Sequence, residues 1–229
     1  MFLALIFGLL AGGIIPFMAG RFGKLIPADP GLLLLKLFHM PRFPKINDPM
    51  RSYLLRRKWY QLWMGSLFWA LFMAGLFMGC YSFLPSTYWI WGCLFCWVQG
   101  ISMAIDAQYW LLPDFFTIPL ILLGFLFCYQ HPKIGVQAAL IGSMGGYFIC
   151  TISVFFMGIF SKKTMFGGGD LKMITAIGTW LGILGLNYTL VASFLLFIIF
   201  NSLPFQRKGA YGPALGLASI LVFFMIYAK

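Results

Sequence analysis

Met165-Phe166-Gly167-Gly168-Gly169-Asp170-Leu171-Lys172 sets three glycines and an acid at the mouth of an apolar run. Acid is scarce in this chain: of 229 residues only five are acidic, and all five are Asp. Hydrophobic residues make up 62% and charged residues 9%, with a mean hydropathy of +0.92. A soluble domain carries about 25% charged residues. The apolar runs are long and continuous, whereas a barrel strand needs short alternating ones. The composition therefore predicts an all-α integral membrane protein.

Working outward from the glycines, the apolar runs predict a polytopic bundle of about eight transmembrane helices. Span 1 covers residues 1–20 and is read as retained, with Gly8 and Gly12 offering a small-residue face. A basic, proline-punctuated loop follows from Arg21 to about Trp59, with a short interfacial helix at 32–35. Span 2 covers 62–84, span 3 ends at Ile105 before Asp106, span 4 starts after Asp114 and span 5 covers 134–160. Span 6 covers 171–186, Asn187 marks a turn, span 7 covers 188–203 and span 8 covers 212–227. Residues 1–60 form a first helix and basic loop, and 61–229 a polytopic membrane domain.

The net charge of +11 is distributed unevenly: nine of the sixteen Lys and Arg lie between Arg21 and Lys58. That clustering is the positive-inside signature of a loop lying on anionic lipid, not a nucleic-acid surface. With that loop cytoplasmic, fourteen of the sixteen cations fall inside. The same count puts Asp106 and Asp170 at the cytoplasmic face, far apart in sequence but at one depth. All five cysteines lie inside apolar runs, and Cys93-x-x-Cys96 has no second pair or nearby His. Core packing is the expectation for both, with no metal and no cofactor.

A carboxylate beside hydrocarbon is costly unless it is paired, wetted or protonated. Two carboxylates sharing a water solve this, because their repulsion leaves one proton on the pair near neutral pH. The ionised member can deprotonate water while the protonated member polarises a peptide carbonyl. Helix capping is the plainer reading of Asp170 or Asp114 taken alone. Capping needs at most one glycine, however, and Gly167, Gly168 and Gly169 are three. Bare backbone can lie close to an extended peptide. Pro113 biases Leu112 away from helix and ends its loop, and Asp114 reads as a cap rather than a catalyst. Lys172 reads as a snorkelling anchor, with tuning of Asp170 as the alternative.

At both aspartates the chain resembles the type IV prepilin peptidases. Asp106-x7-Asp114 with Leu111-Leu112-Pro113-Asp114 is similar to their first aspartate motif, and Phe166-Gly167-Gly168-Gly169-Asp170-Leu171-Lys172-Met173 to their GxGDxK motif. Thr117-Ile118-Pro119-Leu120, the glycine-rich 141–147, 176–182 and Tyr211-Gly212-Pro213-Ala214-Leu215 resemble the surrounding segments, so the likeness runs from about Gly100 to the C-terminus. The resemblance implies an aspartic endopeptidase of the cytoplasmic (inner) membrane that removes a short basic leader from prepilins or pseudopilins. It implies Asp106 and Asp170 as the catalytic pair, with the glycines, Lys172, Pro113 and Asp114 shaping the motifs. Longer members carry two Cys-x-x-Cys pairs in the first loop and methylate the new N-terminus. Here that loop has no cysteine, which excludes their zinc-bound form and leaves methylation outside the expectation.

Two other classes share single features. Presenilin-type intramembrane proteases also use GxGD and a later Pro-Ala-Leu, present here as Pro213-Ala214-Leu215. Asp106 follows Ile105 rather than Tyr, though, and both aspartates are expected at the membrane edge. A transporter could use the aspartates as a proton relay, but its polar groups would cluster at mid-membrane. Expected partners are the pilin-type substrate and the lipid bilayer; whether the chain forms a homodimer is left open.

Overall fold

The computed structural model describes residues 1–25, 49–109, 112–131, 133–160, 168–202 and 210–228. Among them every regular element is a helix: α1 (Phe2–Leu25), α2 (Pro49–Phe83), α3 (Trp89–Tyr109), α4 (Asp114–Gln130), α5 (Val136–Phe160), α6 (Gly168–Ser202) and α7 (Gly212–Tyr227). Five are long and apolar enough to cross a membrane, and α4 and α7 are shorter apolar helices of 17 and 16 residues. The outside is apolar too: Leu3, Phe7, Phe68, Leu122, Phe148 and Leu195 are exposed. Water would not tolerate so continuous an apolar exterior, whereas lipid does. The chain is an all-α polytopic membrane protein.

Glycines set the closest helix approaches. A Cβ at Gly8 would lie 2.6 Å from Ala74 Cα, and one at Gly12 2.2 Å from the Trp69 carbonyl oxygen. The expected small-residue face of the first span thus packs on α2. Gly142 of α5 and Gly178 of α6 meet in the same way: a Cβ on either would stand 2.4 Å from the other's carbonyl oxygen.

Helix α6 is broken at Gly182, whose φ of 66° is left-handed backbone that favours glycine. Before the break Trp180 lies beside Tyr227 at the end of α7, while beyond it Ser193 reaches Tyr211 just before the start of α7. The two halves of α6 therefore run in opposite directions. They correspond to the expected spans 6 and 7, with the reversal at Gly182 instead of Asn187. The expectation of eight spans amounts to counting each half of α6 and both short helices as crossings.

Two other boundaries differ from expectation. Helix α2 starts at Pro49, thirteen residues before Leu62, because proline suits a first helical position, where its missing N–H costs nothing. It runs through the expected domain boundary at residue 60. Helix α3 continues to Tyr109, so Asp106 sits inside a helix rather than after one. The expected interfacial helix at 32–35 lies outside the described residues.

An aromatic plug fixes the end of the bundle remote from the aspartates. Trp180, Phe95, Phe127, Phe223 and Tyr227 are all fully buried and stack on one another. Trp180 Nε1 donates to the Leu120 carbonyl at 2.8 Å, and the Tyr227 hydroxyl donates to the Trp180 carbonyl at 2.8 Å. Trp180 stands about 15 Å of helix from Asp170, at 1.5 Å per residue. The plug locks α3, α4, α6 and α7 there, and the opposite ends of α3, α4 and α6 carry the aspartates. Cys96 is buried in this core, as expected of a small apolar side chain.

Candidate active site

Asp106 occupies the last turns of α3, where the apolar run gives out, and is only 5% exposed. Its Oδ2 accepts a hydrogen bond from the Gly212 backbone N–H at 2.8 Å. That N–H belongs to the first turn of α7, where backbone donors lack helical partners and the helix dipole favours negative charge. Pro213 stands next to it as a helix-start residue. Gly212 must be glycine, since a Cβ there would lie 2.6 Å from Asp106 Oδ2 and 2.8 Å from its Cγ.

Asp170 lies in the first turn of α6, two residues after the helix begins at Gly168, so it is not the capping residue. It is half-buried, and its charge acts on Tyr211. Tyr211 thus connects the two aspartates. Its backbone leads directly into the Gly212 donor to Asp106, and its phenol feels the charge of Asp170. The Tyr211 hydroxyl pairs with the buried Ser193 hydroxyl. Burial holds this phenol above the ordinary tyrosine range, the Ser193 bond draws it partly back, and the Asp170 charge adds to the rise. Tyr211 is therefore protonated at neutral pH.

Asp114 is the first residue of α4, and the cap position belongs to Pro113, in extended backbone and with no side-chain cap hydrogen bond. The expected capping role gives way to an ion pair: Lys172 Nζ donates to Asp114 Oδ2 at 2.6 Å. Lys172 therefore reaches across to α4 instead of snorkelling alone. Gly169 also faces this segment, for a Cβ there would meet Leu112 Cβ at 2.9 Å and its carbonyl oxygen at 3.1 Å. That close approach is to the chain's own backbone. Gly168 is different, since nothing would lie within 4 Å of a Cβ there. Gly167 lies outside the described residues. Among the described residues, no group of three or more His, Cys, Asp or Glu side chains could hold a metal ion.

Four helix ends therefore converge, bringing Asp106, Asp170, Asp114, Lys172 and Gly169 to one face of the bundle. On sequence reading Tyr211 and Gly212 belong only to a segment resembling the family's, with no contact to either aspartate assigned, and Ser193 is not singled out. The Gly-Pro pair signals a helix start, but nothing in the sequence points from it to an acid 106 residues away.

Residues 93–202 match the family model described as the type IV leader peptidase family. Over 127 residues the chain is 32% identical to a prepilin leader peptidase/N-methyltransferase of Vibrio cholerae serotype O1, covering 53% of this chain and 50% of that protein. A protein of the same description from Dickeya chrysanthemi is 29% identical over 188 residues, 76% of this chain and 66% of its own length. One from Klebsiella pneumoniae is 38% identical over 91 residues, 40% of each chain. The chain spans about half the length of the curated relatives it matches. No solved structure matches it. The matched stretch holds both aspartates and the Asp114–Lys172 pair but ends before Gly212.

Proposed function

From the match of residues 93–202 to the type IV leader peptidase family, we propose that this chain is an aspartic endopeptidase of that family, with Asp106 and Asp170 as its catalytic pair. Its substrates are prepilins or pseudopilins, cut at the short basic leader on the cytoplasmic face of the inner membrane. The observation that carries this reading is the convergence at the Tyr211–Gly212 entry to α7: Asp106 accepts the Gly212 N–H, and the Asp170 charge acts on the Tyr211 phenol.

The two carboxylates hold one proton between them. The ionised member takes a proton from a water as its oxygen attacks the scissile carbonyl carbon, and the protonated member donates to the carbonyl oxygen. The tetrahedral intermediate collapses when its C–N bond breaks: the departing nitrogen takes the proton from one carboxyl while a hydroxyl of the intermediate gives its proton to the other carboxylate, which restores the singly protonated pair. Asp106 is fixed for this work by the Gly212 N–H, which holds one carboxylate oxygen and leaves the other for water or substrate. Preorganisation of this kind spares reorganisation during reaction. The leader lies extended past Gly168, whose surroundings leave room for a peptide backbone.

The proposal covers cleavage alone. The curated relatives are also named as N-methyltransferases, but the segment before Cys80 has no cysteine. Co-expression with a prepilin tests the reading, with mass spectrometry reporting the new N-terminus and any added methyl together. Asp106→Asn and Asp170→Asn should each abolish cleavage. Normal cleavage by either variant would remove the dyad.

A further inference from the structure

We propose that Asp114 and Lys172 are positioning residues, an ion-pair clamp between the two aspartate-bearing segments that sets the separation of Asp106 and Asp170. The inference rests on the dyad reading above and adds a mechanical part to it.

The connectivity makes such a clamp necessary. Asp106 reaches Asp114 through the end of α3 and a short connection, and Asp170 is reached only after the whole of α5. The aromatic plug locks the helices about 15 Å from Asp170. Small tilts at the plug therefore grow toward the catalytic end unless something ties the helices together there. Two contacts do so. Gly169 rests against the Leu112 backbone, and Lys172 Nζ meets Asp114 Oδ2 at 2.6 Å. The first prevents α4 and α6 from approaching further, and the second prevents them from separating. Lys172 is two residues from Asp170, and Asp114 is two residues from Leu112, so both contacts act close to the reacting groups.

The pair is also placed badly for stabilising the fold. Its side chains are 43% and 54% exposed, and exposed ion pairs contribute little to stability. Its effect is thus expected in rate rather than in unfolding. Catalytic geometry is sensitive enough for this, since displacing reacting groups by about 1 Å can cost roughly 100-fold.

The test uses the full chain in lipid, with a co-expressed or added prepilin as the probe. Asp114→Asn and Lys172→Gln should each lower kcat about tenfold or more, with KM and the thermal unfolding midpoint little changed. The charge swap, Asp114→Lys with Lys172→Asp, should recover most of the lost rate. A swap no faster than the slower single variant would overturn the clamp, as would single variants with wild-type kcat. A second arm needs no catalysis. Spin labels at Gln108→Cys and Gly168→Cys, with the native cysteines replaced, should give one narrow distance in the parent and in the swap. Lys172→Gln should broaden it, and an unchanged distribution would overturn the clamp. A parent chain that cleaves no prepilin would defeat the proposed function, with the distance arm still deciding the clamp.

Discussion

The Gly212 backbone N–H donates to Asp106 Oδ2 at 2.8 Å across 106 residues of sequence, joining the start of α7 to the end of α3. The contact requires bare backbone at position 212. In Gly212→Ala the new methyl would lie 2.6 Å from the same carboxylate oxygen, and Asp106 must move. Overpacking of this kind costs about 1–3 kcal/mol. The rate cost should be larger, about 100-fold for a displacement near 1 Å. Thermal unfolding and prepilin cleavage measured on one preparation separate the two effects. A normal rate would mean that the Gly212 bond does not position Asp106 for reaction.

The plug yields the opposite pattern. Trp180 is fully buried, 10 residues along α6 from Asp170 and clear of the reacting groups. Trp180→Ala should cost about 3–5 kcal/mol through the cavity it leaves. Trp180→Phe keeps part of the ring contacts but loses the Nε1 bond to the Leu120 carbonyl and some buried volume, a smaller cost of about 1–3 kcal/mol. Chemical denaturation in detergent should rank the variants in that order. Below the unfolding transition, Trp180→Phe should cleave at close to the parent rate.

Much of the bundle was legible in the sequence for simple reasons. Apolar length marks a span, so α5 and α7 start and stop within about two residues of expectation, and Pro113 and Pro213 mark the starts of α4 and α7. Helix α2 was misjudged because its first turns are rich in Arg, which reads as loop beside so apolar a span. The reversal in α6 was misplaced because Gly182 and Asn187 are both acceptable turn residues. The choice falls to packing, for Ile134 just before α5 and Ala138 in its first turn close over Gly182. The aspartates stood out because acid is so rare here. Their partners did not: Lys172 and Asp114 are 58 residues apart, and neither charge names the other until the helices are packed.

Gly182 offers a direct check on that packing argument. Its φ of 66° costs an L-residue about 1–2 kcal/mol, and a Cβ there would meet Ile134 Cγ2 at 3.1 Å. Gly182→Ala should therefore lower the unfolding midpoint, while Asn187→Ala, in continuous helix, should leave it unchanged or raise it slightly. Equal effects at the two positions would move the reversal away from Gly182.

The glycine stretch itself divides into two roles that alanine can separate. Gly169 faces Leu112, and a methyl there would stand 2.9 Å from its Cβ. Gly169→Ala must push α4 away from α6 beside the ion pair, so stability and kcat should both fall, the stability by about 1–3 kcal/mol. Gly168 has nothing within 4 Å of its missing Cβ, and alanine is the better helix former by about 1 kcal/mol. Gly168→Ala should then hold or raise stability. If the leader peptide lies against that open backbone, the same methyl should raise KM several-fold and leave kcat near the parent value. A raised KM at Gly168 together with a lowered kcat at Gly169 would show one glycine serving the substrate and its neighbour serving the fold. An unchanged KM at Gly168 would place the leader elsewhere on this face.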